Sequence, residues 1–373
     1  MTTSSKESNQ SESHKIDHAD NNSNDDDNAS VDSADEALSE MLGIGLGAFK
    51  ETKEEEDESE SEIRASSDPS NMNMHSLMPQ LPDNEIIATV RQMNLAQVYE
   101  NEAICLLPKQ FSVPQKLMRR LSDELVYGSA RYPADQSYET IRYIPNGETT
   151  SIHERRELTR FENFVNGHGG WHDLCHGYLA KCISAIVGEE MVLFKEKLNL
   201  KPPGGSGFAP HLDSPSLRVA LGEEGPSTFV TVMVAIDDMT EKNGCLKVQK
   251  GPWTEAHHVE VIEPQDAGNP DAGGRAGAIP MELADEHVFE PIICKGGDIV
   301  AFNGWTPHRS SANVSPFPRR AVFLTYNPAR EGDFHDCYYD KMKQLRDGWK
   351  EKMAMLSISD HESEMAALNS IPR

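Results

Sequence analysis

The hydrophobic period of this chain changes at Gly188. Before it, apolar residues recur at helical spacing. Pro114 to Tyr127 carries Leu117, Met118, Leu121 and Leu125, and Trp171 to Val187 carries Leu174, Tyr178, Leu179, Cys182, Ile183 and Ile186. Asp83 opens a further capped helical pattern, and Ala103 to Leu107 reads as a short strand ended by Pro108. After Gly188 the apolar runs are short, with glycine and proline signals between several of them. They are Met191–Lys201, Thr228–Ile236, Cys245–Gln249, Val288–Ile293, Asp298–Phe302 and Arg320–Tyr326. A helical first part followed by many short strands predicts a mainly β chain with flanking helices. The expected core is a sandwich or jelly roll with helices packed on one sheet. The glycine- and proline-rich stretch 263–282 reads as a long surface loop. Tyr338 to about Met355 reads as a final amphipathic helix.

Charge marks where the folded part begins. Residues 1–80 hold 20 Asp/Glu against 5 Lys/Arg, a net of −15 out of −26 for the whole 373-residue chain. Such a segment cannot bury enough apolar area to offset the entropy of ordering. The expectation is an acidic disordered tail over 1–80, then one domain over 81–373. A short apolar island, Ala37 to Phe49, interrupts the tail and offers a docking point for a protein partner. Its Gly-x-Gly-x-Gly pattern follows no strand, so it is no nucleotide loop. Basic runs are absent, which argues against a nucleic-acid surface. No apolar run approaches membrane-spanning length, and no signal peptide opens the chain; the expected location is cytoplasmic. The six cysteines form no Cys-x-x-Cys pair and read as reduced thiols.

Chemistry concentrates in two strings, Pro210-His-Leu-Asp213 and Thr306-Pro-His-Arg-Ser310. Two imidazoles and one carboxylate can occupy one face of a metal and leave the other face open, as a non-haem Fe(II) oxygenase needs. On a strand, residues i and i+2 point the same way, so His211 and Asp213 reach one ion from one strand end. His308 follows the strand Asp298–Phe302 and a turn-like Asn303-Gly-Trp-Thr-Pro307. Arg319 and Arg320 then open another strand. Strand neighbours face opposite ways, so only one enters the interior, where a guanidinium needs an anion. The far carboxylate of 2-oxoglutarate is the candidate. Arg319 is preferred, Arg320 then facing solvent, though alternation alone leaves the choice open.

These strings resemble the phytanoyl-CoA dioxygenase family of Fe(II)/2-oxoglutarate oxygenases. The resemblance runs through Phe194-Lys-Glu-Lys-Leu-Asn-Leu-Lys-Pro-Pro-Gly-Gly-Ser-Gly-Phe-Ala-Pro-His-Leu-Asp213. It continues in Asp237-Asp-Met-Thr-Glu-Lys-Asn-Gly-Cys-Leu246, in Gly297-Asp-Ile-Val-Ala-Phe302 and in His308 with Arg319. It covers about residues 100–345. It implies a double-stranded β-helix, a cupin-like jelly roll, with His211, Asp213 and His308 as iron ligands. Arg319 would anchor 2-oxoglutarate, and O2 would be the oxidant. The resemblance also implies that the strand before the first ligand lines the pocket, with Lys195, Lys197 and Asn199 facing in, or else the opposite set. Halogenating relatives lack the carboxylate ligand, so Asp213 favours hydroxylation with release of succinate and CO2. The region 191–213 and Glu331 to Tyr339 look closest to the 2-aminoethylphosphonate hydroxylase branch. That implies a small polar or charged substrate, such as an aminophosphonate.

Three departures concern the rim. The turn after Asn243-Gly244 runs as Lys250-Gly-Pro-Trp253, the loop 263–282 looks inserted, and the acidic tail is an addition. Further pocket candidates are Ser214, Arg218, Asn303, Trp305 and Arg309. His168, His172 and His176 lie four apart, but two ligands do not make a zinc site, and a helix-face role is the plainer expectation. Asp237 and Asp238 read as a turn after a strand. The rival reading is a metal-binding regulatory protein on the same fold, acting through its acidic tail.

Overall fold

The computed structural model describes residues 77–128, 137–145, 152–222, 225–257, 277–344 and 347. Residues 1–76 of the acidic tail, with the 37–49 island, most of the 263–282 stretch and the end of the final helix lie outside these residues. Leu77, Met78 and Leu81 already pack against the core, so ordered packing reaches back before Asp83.

Helices α1 (Asp83–Gln92) and α2 (Leu95–Glu102) lead into strand β1 (Ile104–Leu106). Helix α3 (Gln115–Tyr127) follows, then β2 (Ser137–Pro145) and β3 (Ile152–Glu162). Gly169–His172, the π-helical Asp173–Leu179 and Ala180–Val187 run on as one helix, α4. Gly188 ends it at φ 86, a left-handed position that glycine takes without strain. Next come β4 (Met191–Lys201), β5 (Phe208–His211), α5 (Asp213–Leu221), β6 (Val230–Ala235) and β7 (Leu246–Val248). The remainder is α6 (Met281–Asp285), β8 (Glu290–Pro291), β9 (Ile299–Asn303), β10 (His308–Ser310), β11 (Arg319–Pro328) and a helix, α7, over 335–344.

The strands form two sheets. The larger has the order β1-β9-β6-β11-β4-β3-β2, and the smaller β5-β10-β7-β8. Their facing sides enclose Ile104, Met233, Ala235, Leu246, Val248, Val300, Phe302 and Ala321. This is a jelly roll. The other side of the larger sheet carries Val232, Val234, Val322 and Leu324, and it packs on α1 to α4. All six residues of β6 are buried, because both of its faces are covered. The apolar stripe of α3 supplies Leu117, Met118, Leu121 and Leu125 to the outer layer. A Leu121→Ala change there would cost about 2–5 kcal/mol.

Several sequence expectations shift. β2 and β3 were not anticipated, because their sequence mixes charged residues into the alternation. The expected strand Val288–Ile293 shrinks to β8. The end of the 263–282 stretch is no surface loop: Ala278 bridges His211, and Met281 begins a helix. Among the described residues, no helix is long and apolar enough to cross a membrane.

Candidate active site

β5 and β10 pair antiparallel with His211 opposite His308, so the two imidazoles meet with ring centroids 4.1 Å apart. Asp213 arrives differently from the strand-end geometry expected. The strand stops at His211, Leu212 stays extended, and Asp213 is the first residue of α5. Its Oδ1 lies 3.8 Å from Nε2 of each histidine. One ligand atom from each of the three residues falls within 4.8 Å of the others.

The donor chemistry fits a metal. Nδ1 of His211 lies 2.7 Å from the Ala209 carbonyl, and Nδ1 of His308 lies 2.9 Å from the Thr306 carbonyl. A carbonyl only accepts, so each Nδ1 carries a proton, and Nε2 is the nitrogen left to face Asp213, with a free lone pair whenever the ring is neutral. Thr231, on the inner face of β6, donates to Asp213 Oδ2 at 2.7 Å. Burial opposes ionisation of Asp213, but His308, His211 and Lys197 hold its carboxyl below the usual range. These three side chains can hold a divalent cation.

The register of β4 against β11 decides what else faces the interior. Lys197 pairs with Phe323, Asn199 with Ala321 and Lys201 with Arg319. Ala321 belongs to the core between the sheets, so this set points inward. Lys195 is buried, donates to the Tyr338 hydroxyl on α7, and sits 4.8 Å from that ring's centroid. Asn199 lies between Ala321 on β11 and Arg160 on β3. Arg319 is buried on the same face and donates to the carbonyls of Asn243 and Gly244.

Arg320 corrects the expectation of a solvent-facing arginine. It points to the outer layer, bonds Asp237 at 2.9 and 3.1 Å, and reaches Asp123 on α3 at 2.7 Å. Asp238 holds the Lys295–Gly296 turn.

Other candidates scatter. Ser214 is buried with its amide bonded to Gly304, and Arg218 pairs with Glu255. Asn303 accepts from the Trp305 amide, and Trp305 packs with Leu212, Ile279 and Phe289. Arg309 lies over the Phe289 ring and pairs with Asp285. His168 pairs with Glu124, His176 bonds Asn166, and the rings of His172 and His176 lie 4.6 Å apart on α4. None of these histidines joins the cluster.

Sequence reasoning missed Lys201, Ser310 and Thr231. Lys201 was within reach, since it continues the alternation of Lys195, Lys197 and Asn199. Its Nζ donates at 2.8 Å to Ser310 Oγ, two residues beyond His308.

Residues 136–321 match the phytanoyl-CoA dioxygenase (PhyH) family. The chain is 38% identical over 200 residues to a 2-aminoethylphosphonate dioxygenase of an uncultured bacterium, HF130_AEPn_1, covering 53% of this chain and 70% of that protein. The chain belongs to the phytanoyl-CoA dioxygenase family. This dioxygenase is also 34% identical over 188 residues to a methylphosphonate hydroxylase of Gimesia maris, covering 50% of this chain and 65% of that one. Among solved structures, EctD from S. alaskensis with 2-oxoglutarate and 5-hydroxyectoine aligns at 21% identity. That alignment covers 68% of this dioxygenase and 84% of EctD, with a TM-score of 0.49.

Proposed function

We propose that this protein hydroxylates a small charged substrate of the phosphonate class, using Fe(II) held by His211, Asp213 and His308. The observation that carries the reading is the convergence of those three donors, in a fold whose interior also holds a buried, inward-facing Arg319. Iron, with O2 and 2-oxoglutarate, supplies the oxidising power that turns a substrate C–H into C–OH while 2-oxoglutarate becomes succinate and CO2.

The chain's own residues supply position. The bonds from both Nδ1 atoms to backbone carbonyls hold the imidazoles in one tautomer and orientation. Thr231 holds the carboxylate from the opposite sheet. Arg319 would clamp the far carboxylate of 2-oxoglutarate. His308 and Ser310 are two residues apart on β10, about 7 Å along the strand. Ser310 bonds Lys201, the register partner of Arg319, which ties the strand of His308 to the residue that would hold the far carboxylate.

The substrate class rests on two supports. The relatives are named for 2-aminoethylphosphonate and methylphosphonate. Lys195 and Lys197 place positive charge on the inner face of β4, which suits a compact oxyanion. The regulatory rival has no comparable support: nothing in this donor set or in the relatives' names calls for a non-catalytic role.

The test is succinate release by the Fe(II)-loaded protein with 2-oxoglutarate and a panel of phosphonates. Substrate-dependent turnover with an aminophosphonate or alkylphosphonate is expected. Turnover only with unrelated substrates would overturn the substrate class. Failure to bind a divalent metal would overturn the centre.

A further inference from the structure

The interior holds two cations where one carboxylate is expected to bind. Arg319 and Lys201 are register partners, only 3% and 4% exposed. Directly paired residues on one sheet face have Cβ atoms about 5 Å apart. Both donate to the Gly244 carbonyl. Arg319 also donates to the Asn243 carbonyl, and Lys201 to Ser310 Oγ and the Ser311 carbonyl, both at 2.8 Å. Gly244 makes the approach possible. Its φ is +70, and a Cβ there would stand 3.0 Å from Lys201 Nζ and 2.2 Å from the Ser311 oxygen. Among the described residues, the polar partners of Arg319 and Lys201 are carbonyls and one hydroxyl, with no carboxylate.

Two like charges buried side by side repel, and desolvation adds to the cost. A guanidinium keeps its proton, so the ammonium is the one that yields. Burial, and then Arg319, push Lys201 down to about 7. Cys245, just before β7, opposes that shift only in its thiolate form. The Ser310 hydroxyl on β10 is neutral, as is the Phe208 ring on β5, 5.4 Å away. The Cys245 thiol, just before β7, is pushed up by burial and stays neutral too.

We propose that Lys201 is the second, proton-linked cation of this subsite: it takes up a proton as the far carboxylate of 2-oxoglutarate settles against Arg319. The proposal rests on the reading that Arg319 receives that carboxylate. An arriving anion offsets the repulsion and raises the affinity of Lys201 for a proton, which comes from solvent. The sign follows from linkage. The contribution of Lys201 to 2-oxoglutarate affinity is full below about pH 7 and is lost as pH rises through the higher pKa of the bound state.

The experiment is calorimetric titration of 2-oxoglutarate into the full-length, Mn(II)-loaded protein at about pH 8, in two buffers of different ionisation enthalpy. The buffer dependence counts protons. Wild type should take up a substantial part of one proton per ligand. Lys201→Arg, which keeps the charge and removes the titration, should bind without uptake. Lys201→Met should lose uptake and weaken binding about ten-fold or more at mildly acid pH. Pyruvate, which lacks the far carboxylate, should bind wild type and both variants alike and without uptake. Wild-type binding without proton uptake, or uptake that survives Lys201→Arg, would overturn the role of Lys201 while leaving the Arg319 reading intact. No binding of 2-oxoglutarate by wild type would overturn the parent reading. The wild-type and Lys201→Arg results decide the matter even where Lys201→Met folds poorly.

Discussion

Arg319 and Arg320 are neighbours on one strand, yet the fold treats their charges in opposite ways. Arg320 faces the helical layer, where Asp237 and Asp123 neutralise it; burial opposes its charge, but those carboxylates hold its pKa above the usual value. Arg319 faces the interior, where its hydrogen-bond partners among the described residues are carbonyls, and burial pushes it down to about 10. The outer charge is completed within the fold and serves structure. The inner charge is the one proposed to receive the far carboxylate of 2-oxoglutarate. Successive strand residues take opposite faces, so a single sheet separates the two uses.

The largest test of that division is at the proposed metal ligands, between the two sheets. His308→Ala should abolish stoichiometric iron binding and reduce succinate formation by more than about a hundred-fold. Iron content and succinate assays read this, and a variant retaining both would detach the activity from the cluster. Arg319→Met comes next. It should raise the KM for 2-oxoglutarate about a hundred-fold, a loss of about 3 kcal/mol in carboxylate binding. Its thermal stability should hold or rise, because an uncompensated buried cation is gone.

The mirror change, Arg320→Met, should do the reverse. It leaves Asp237 short of its main partner on a covered face and should cost about 2 kcal/mol in urea unfolding, with the KM for 2-oxoglutarate unchanged. Equal stability losses in the two arginine variants would erase the contrast drawn here.

The smallest expected effect concerns a histidine–carboxylate pair that is complete without a ligand. His335 Nε2 lies 2.8 Å from Glu196 Oε2, against 3.8 Å for each histidine–aspartate approach at the proposed metal site. Burial opposes the charge on His335, but Glu196 and Asp336 push it up to about 9. A raised folded-state pKa stabilises fully below the unfolded value of about 6.5, and the benefit is lost as pH rises through about 9. The melting temperature should therefore fall over that window. His335→Gln should flatten the slope; an unchanged slope would place the titration elsewhere.

Much of the site was legible along the chain. His211, Asp213 and His308 are polar residues set among strand and turn signals, and the alternation of Lys195, Lys197 and Asn199 names one face of β4. What could not be read was the phase. Nothing within Arg319-Arg320 says which side chain enters the interior. That depended on the register Arg319↔Lys201 and on where α3 places Asp123. Asp213 was expected on the strand of His211, and the chain turned at Leu212 instead, so the carboxylate reaches the site from a helix start. β3 escaped notice because Glu154-Arg-Arg-Glu157 reads as polar, although the strand docks on β4.

The sequence alone determined the change from helical to strand periodicity at Gly188, the concentration of acidic residues in the first 80, and the identity of the metal-ligand candidates. These are properties of neighbours in the chain, and periodicity reports on neighbours. Only the tertiary structure decided which charges are compensated. Arg320 finds its carboxylates 83 and 197 residues away, and Lys201 meets Ser310 at a separation of 109. Electrostatic energy depends on distance and burial in space, which spacing along the sequence does not carry.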